Sequence, residues 1–178
     1  EYEVLLYEFK ADLNAYLASR RGLSVKTLAD VIAFNQKNRD QEMPFFGQDQ
    51  FLSAEKKGPL TDPAYRAALA LDQRLSRAEG IDLALKKYRL DALVALTVGP
   101  AWTTDLVNGD HYLGSSSTPA AVAGYPSITV PAGEAFGLPV GVSFFSTAWT
   151  ESKLIRFAYA FEQGTHHRKA PTLRATVK

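Results

Sequence analysis

The sequence predicts an α/β chain in which helices surround a partial mixed sheet of about three strands. Three observations carry this. Helical apolar spacing fills residues 1–90, three short apolar or β-branched runs follow at 93–98, 127–130 and 140–145, and Gly or Pro stands near most of the junctions between them. Helices come first and strands late, so the order is not a regular βαβ repeat.

The first helix is predicted over 2–17, where Leu6, Phe9, Leu13 and Tyr16 share one face at spacings of three and four, with Gly22 beyond it. A second starts at Thr27, which has Asp30 three residues on as a capping-box partner and Leu28, Val31 and Ile32 as its apolar stripe. Residues 43–60 read as irregular. Phe45, Phe46 and Phe51 offer either a core or an aromatic binding patch, and aromatics at such spacing ordinarily pack inside. Asp62-Pro63 opens a third helix, running to about Tyr88, with Tyr65, Ala68, Leu75, Ala78 and Leu85 near one face. Gly80 costs roughly 1 kcal/mol against Ala there and marks a point where the helix can break.

The run Leu93–Val98 is apolar without alternation, as a strand covered on both faces would be. Residues 99–126 form a long loop with a short helix at 118–123. Ser127–Val130 is a second strand, 131–139 a turn, and 140–145 a third strand antiparallel to the second. A last helix is expected over 151–163, with Leu154, Ile155, Ala158 and Phe161 inward and Gly164 ending it. One domain over 1–164 and a flexible basic tail over 165–178 complete the organisation; the tail carries His166, His167, Arg168, Lys169, Arg174 and Lys178 and no acid.

Composition narrows the function. At 178 residues with 46% hydrophobic and 22% charged side chains, the chain can bury a core and is neither disordered nor coiled coil. Twenty basic against nineteen acidic residues leave a net charge of +1, which gives no footprint for nucleic acid or an acidic membrane surface. No apolar run approaches the ~20 residues that span a bilayer. The absence of cysteine excludes disulfides, thiolate metal sites and a cysteine nucleophile. Compartment stays unassigned, and because the chain opens on Glu1 rather than Met it is expected to be cut from something longer.

Three groups of polar residues invite a chemical reading. Ser115, Ser116 and Ser117 form either a nucleophile cluster or a solvated, helix-capping loop, and the second is the default. His111 beside Asp110 has the composition of a base and its orienter, but adjacent residues rarely converge. His166-His167 lacks the further ligands a metal needs, so no metal or other cofactor is expected. Trp102, Thr103 and Asp105 follow the buried strand, where ligands bind in α/β sheets. Trp102 suits a pocket wall or a core plug, and Asp110 shares that ambiguity.

Three segments together resemble the amidase signature family: Leu90-Asp91-Ala92-Leu93-Val94-Ala95-Leu96-Thr97; Ala120 through Gly133, with Ala123-Gly124-Tyr125-Pro126 before the strand; and Gly137-Leu138-Pro139 through Phe145. Upstream, Tyr7–Leu17 and Thr27–Asn35 resemble it too. The resemblance implies the C-terminal part of a three-layer α/β/α fold and hydrolysis of a carbon–nitrogen amide bond in the parent protein. It also implies a substrate-side position for Trp102, Thr103 and Asp105. In the family a serine nucleophile is activated through a second serine and an uncharged lysine, in a Gly/Ser-rich segment with backbone oxyanion donors. No stretch here matches that segment. Gly114-Ser115-Ser116-Ser117-Thr118-Pro119 lacks the glycines that should follow, so no catalytic residue is assigned. The expected partners are the missing N-terminal segment, or a second copy through the same apolar surface, and a small amide substrate. The alternative is a non-catalytic interaction module on the same fold.

Overall fold

The computed structural model describes residues 1–170; Arg174, Lys178 and the rest of the predicted tail beyond 170 lie outside the described residues. The chain divides into two compact units, Glu1–Leu71 and Asp72–Lys178.

The first unit is helical: α1 (Tyr2–Ser19), α2 (Leu28–Lys37), α3 (Arg39–Glu42), α4 (Asp49–Glu55) and the opening turns of α5 (Pro63–Ser76). α2 begins with the predicted capping box. Thr27 Oγ1 accepts from the Asp30 N–H at 3.1 Å, and Asp30 Oδ2 accepts from the N–H groups of Thr27 and Lys26 at 3.0 and 2.9 Å. Those donors, the Lys26 N–H foremost, hold the Asp30 carboxyl below its usual range. Leu28 is fully buried with Leu6 and Ala54, and Phe9, Leu13, Ile32 and Phe51 pack around them. A second cluster joins Val4, Tyr7 and Tyr65, so α1 buries two faces where the spacing predicted one. Tyr16 lies outside both and is exposed.

α4 falls in the segment read as irregular. It has only two turns, too short for a periodic signal, and its end is held from outside: Lys10 Nζ donates to the last helical carbonyl, Glu55 O, at 2.6 Å and to Lys57 O just beyond the helix at 3.0 Å. Phe51 stacks on Phe9 at 5.4 Å between centroids, whereas Phe45 and Phe46 are exposed, against the expectation that all three pack inside. They precede α4 on a bend and a stretch without regular secondary structure.

In the second unit the helix does deviate near Gly80. A π turn at Arg77–Ile81 separates α5 from α6 (Asp82–Tyr88). The extra residue of a π turn rotates the buried face. Ile81 and Leu85 are therefore buried, while Leu75 and Ala78, predicted to be inward, are exposed. The sheet comprises β1 (Leu93–Leu96), β2 (Ser127–Ala135) and β3 (Leu138–Phe145) in the order β1-β3-β2, with α7 (Ser117–Ala123) before β2 and α8 (Glu151–Thr165) last. Among the described residues it is antiparallel throughout rather than mixed, because β3 runs back between β1 and β2.

The expected turn at 131–139 contracts to Phe136-Gly137, both at positive φ as a two-residue hairpin requires, and β2 passes through Pro131 with an irregularity before Gly133. α7 ends as the Ala-Gly-Tyr-Pro sequence predicts. Gly124 takes φ +66°, and the Tyr125 N–H returns to Ala120 O at 2.9 Å. Arg77 Nε then donates to Ala123 O at 2.7 Å, tying the π turn to the end of α7.

One sheet face places Leu93, Ala95 and Phe145 against Ile81, Leu85, Ala120 and Ala123. The other meets α8, where Phe144 packs on Phe157 and Phe161. Leu154 and Ala158 are buried as predicted, but Ile155 is exposed, since it lies one residue round from Leu154. α8 also runs past Gly164 to Thr165, and His166 rather than glycine adopts the left-handed cap.

β1 corrects another expectation. It is an edge strand, with Val94 58% and Leu96 66% exposed, because α8 packs on β2 and β3. An apolar run that reads as covered on both faces is here covered on one.

Candidate functional site

Beyond Leu96 the chain stays extended. The Thr97 N–H donates to Gly141 O at 2.8 Å, Val98 bridges to Ser115, and the Ser116 N–H donates to Thr97 O at 3.1 Å. The loop 99–114 therefore leaves the end of β1 and returns beside it, which gathers most of the predicted site residues at one end of the sheet.

Within that loop Asp105 organises the backbone. Its Oδ1 accepts from the N–H groups of Val107 at 2.9 Å and Asn108 at 2.8 Å, and its Oδ2 accepts from Asn108 Nδ2 at 3.0 Å. These donors, led by the Asn108 N–H, lower its carboxyl to about 2. Nε2 of His111 lies 3.5 Å from Asp105 Oδ2. The neighbouring Asp110 instead accepts from Trp102 Nε1 at 3.3 Å, and the Trp102 ring meets Tyr112 edge-on at 6.0 Å. Trp102 is 36% exposed, Thr103 is exposed, and Asp105 is half-buried.

The serines do not join the histidine. Ser115 Oγ lies 3.0 Å from Ser117 Oγ, and the buried Ser116 Oγ has no hydrogen-bond partner. Among the described residues, no hydrogen bond links His111 to any of the three, and no cluster of three or more His, Asp or Glu side chains is placed to hold a metal ion. His167 lies against Phe161 with the rings tilted at 46° and their centroids 6.5 Å apart. No helix among the described residues is long and apolar enough to cross a membrane.

A second polar group was not foreseen. Thr97 Oγ1 lies 2.6 Å from Thr129 Oγ1 and 2.8 Å from Ser143 Oγ, and Thr129 Oγ1 donates to Val142 O at 3.2 Å. Ser143 is 4% exposed. A signal was present: each of the three apolar runs carries a hydroxyl residue near its middle or end, Thr97, Thr129 and Ser143, and antiparallel register brings these three to one face.

No protein-family model matches the sequence. A protein of Arabidopsis thaliana named as a probable amidase is 40% identical over 169 residues, covering 94% of this chain and 30% of that protein. The crystal structure of a peptide amidase bound to the competitive inhibitor chymostatin shares 49% identity and a TM-score of 0.92 over 97% of this chain and 35% of that one. A bacterial aryl acylamidase of the amidase signature family shares 18% identity and a TM-score of 0.51, a likeness of fold alone. The chain thus spans about a third of the length of the first two. Sequence and fold together show that the chain is homologous, over nearly its whole length, to about a third of an amidase signature family member.

Proposed function

We propose that the chain is the C-terminal portion of an amidohydrolase that cleaves a carbon–nitrogen bond in a carboxamide or peptide-terminal amide. The observation that carries this is the superposition on a peptide amidase at 49% identity over nearly the whole chain. In this reading Trp102, Thr103 and Asp105 line the substrate side of the cleft. The serine nucleophile, its proton relay and its lysine lie on polypeptide outside this chain. The partial sheet belongs to a larger three-layer α/β/α sandwich.

The chemistry of the loop supports that assignment of roles. A carboxylate lowered to about 2 is a poor general base at neutral pH, and Asp105 spends its oxygens on Val107 and Asn108, so it shapes the loop. Trp102 offers a partly open apolar face whose single donor is already held by Asp110, which suits contact with an apolar part of a substrate. In this reading the rest of the protein pairs with the open edge of β1 and covers the face that exposes Val94 and Leu96.

The test is Trp102→Ala in the full-length protein. A wall residue predicts KM for a peptide-terminal amide raised about tenfold, equivalent to roughly 1.4 kcal/mol, with unfolding unchanged. A loss of stability at unchanged KM would make Trp102 a packing residue and remove it from the cleft.

A further inference from the structure

We propose that Asn108-Gly109 is a site of self-deamidation, that Asp105 holds it closed in the folded loop, and that the reaction, once it occurs, leaves the loop open. The sequence supplies the chemistry. Of the four asparagines, Asn14, Asn35, Asn38 and Asn108, the last alone precedes glycine. Glycine carries no Cβ to hinder its backbone nitrogen, and that nitrogen is the nucleophile. It gives its proton to solvent and attacks Cγ of Asn108. The N–Cγ bond forms, the Cγ–Nδ2 bond breaks, and Nδ2 leaves as ammonia with a proton from water. Water then adds to either carbonyl of the succinimide and opens it to aspartate or isoaspartate. The net change is one water consumed and one ammonia released. Both residues are exposed, so solvent reaches them.

The structure supplies the restraint, and it comes from one residue. The Gly109 N–H, whose proton must leave, donates to Asp105 O at 3.1 Å. The leaving group, Nδ2 of Asn108, donates to Asp105 Oδ2 at 3.0 Å, and the Asn108 N–H donates to Oδ1 at 2.8 Å. Nucleophile, leaving group and the backbone between them are all tied to Asp105. Its carboxyl, lowered to about 2, stays ionised and accepting at neutral pH. Deamidation therefore waits on opening of the turn. The product makes that opening one-way. An aspartate at position 108 has no side-chain N–H for Asp105 Oδ2, and it sets a second carboxylate beside the first, where like charges repel. An isoaspartate also lengthens the main chain by one carbon ahead of Gly109, which displaces the Gly109 N–H from Asp105 O.

The inference is independent of the amidohydrolase reading, because this ammonia is one per chain and forms with no amide added. The test is peptide mapping by mass spectrometry of the full-length protein aged in mildly alkaline buffer, with Asn14, Asn35 and Asn38 as internal standards. Aspartate and isoaspartate are expected at position 108 and not at the other three. Asp105→Ala should speed their appearance about tenfold, as loss of a hydrogen bond to a charged group predicts. Asn108→Gln should abolish it, because the longer side chain cannot close the five-membered ring. If Asp105→Ala fails to fold, Asp105→Asn, which keeps the shape and loses the charge, replaces it with a smaller acceleration. Asn108→Asp should speed hydrogen exchange at the Val107 and Gly109 amides about tenfold. Equal rates in the wild type and the Asp105 variants, no acid at position 108 in any of them, or unchanged amide exchange in Asn108→Asp would overturn the proposal.

Discussion

Nε2 of His111 lies 3.5 Å from Oδ2 of Asp105, while the adjacent Asp110 is turned to the indole N–H of Trp102. The pairing that looks catalytic in the sequence, His111 with Asp110, is thus divided between two structural contacts. The loop after β1 reads as a shaped surface rather than a reaction centre.

The pH response of that loop follows from Asp105. Its carboxyl is lowered in the folded chain from 3.8 to about 2, chiefly by the Asn108 N–H. A depressed carboxyl contributes stability that is complete above its unfolded pKa and lost as pH falls through the folded one. The loop should therefore hold at neutral pH and loosen between pH ~4 and ~2. The amide resonances of Val107 and Asn108 should titrate with a midpoint near 2, and Asp105→Asn should abolish the titration. A midpoint at the ordinary carboxylate value would show that these bonds do not form.

Thr27→Ala removes the hydroxyl that accepts from the Asp30 N–H. A loss of ~1 kcal/mol is expected from urea unfolding of the chain. Thr27→Ser should restore most of it.

The two neighbours Leu154 and Ile155 give a paired test of α8. Leu154 is 1% exposed, so Leu154→Ala should cost about 2–5 kcal/mol. Ile155 is 57% exposed, and Ile155→Ala should fall within about 0.5 kcal/mol of the parent chain. Equal losses would mean that α8 is rotated from the orientation described.

The uncovered side of β1 should make the isolated chain self-associate, since Val94 and Leu96 lie on an edge strand with no helix over them. Sedimentation should show association that weakens in Val94→Lys and Leu96→Lys, with little change in monomer stability. A monodisperse wild-type monomer would contradict this.

What the sequence made legible, and what it hid, divides along physical lines. The capping box at Thr27, the Gly124 helix end and the β2–β3 pairing depend on near neighbours and are read directly from residue type. The exposure of Val94 and Leu96 depends on what lies over β1, which an apolar run does not encode. Gly164 looked like a stop signal, yet Thr165 Oγ1 bonds back to Phe161 O and the helix continues. Residue type also singled out Trp102 and Asp105, but Thr97, Thr129 and Ser143 become a group only once register fixes which strand residues face one another.

The most direct test of the account is ammonia release from simple carboxamides and peptide amides, measured side by side for this chain and for the full-length protein. Turnover by the full-length protein and none by the chain is the predicted result. Ammonia released by the chain alone would place a working nucleophile within these 178 residues and contradict the account.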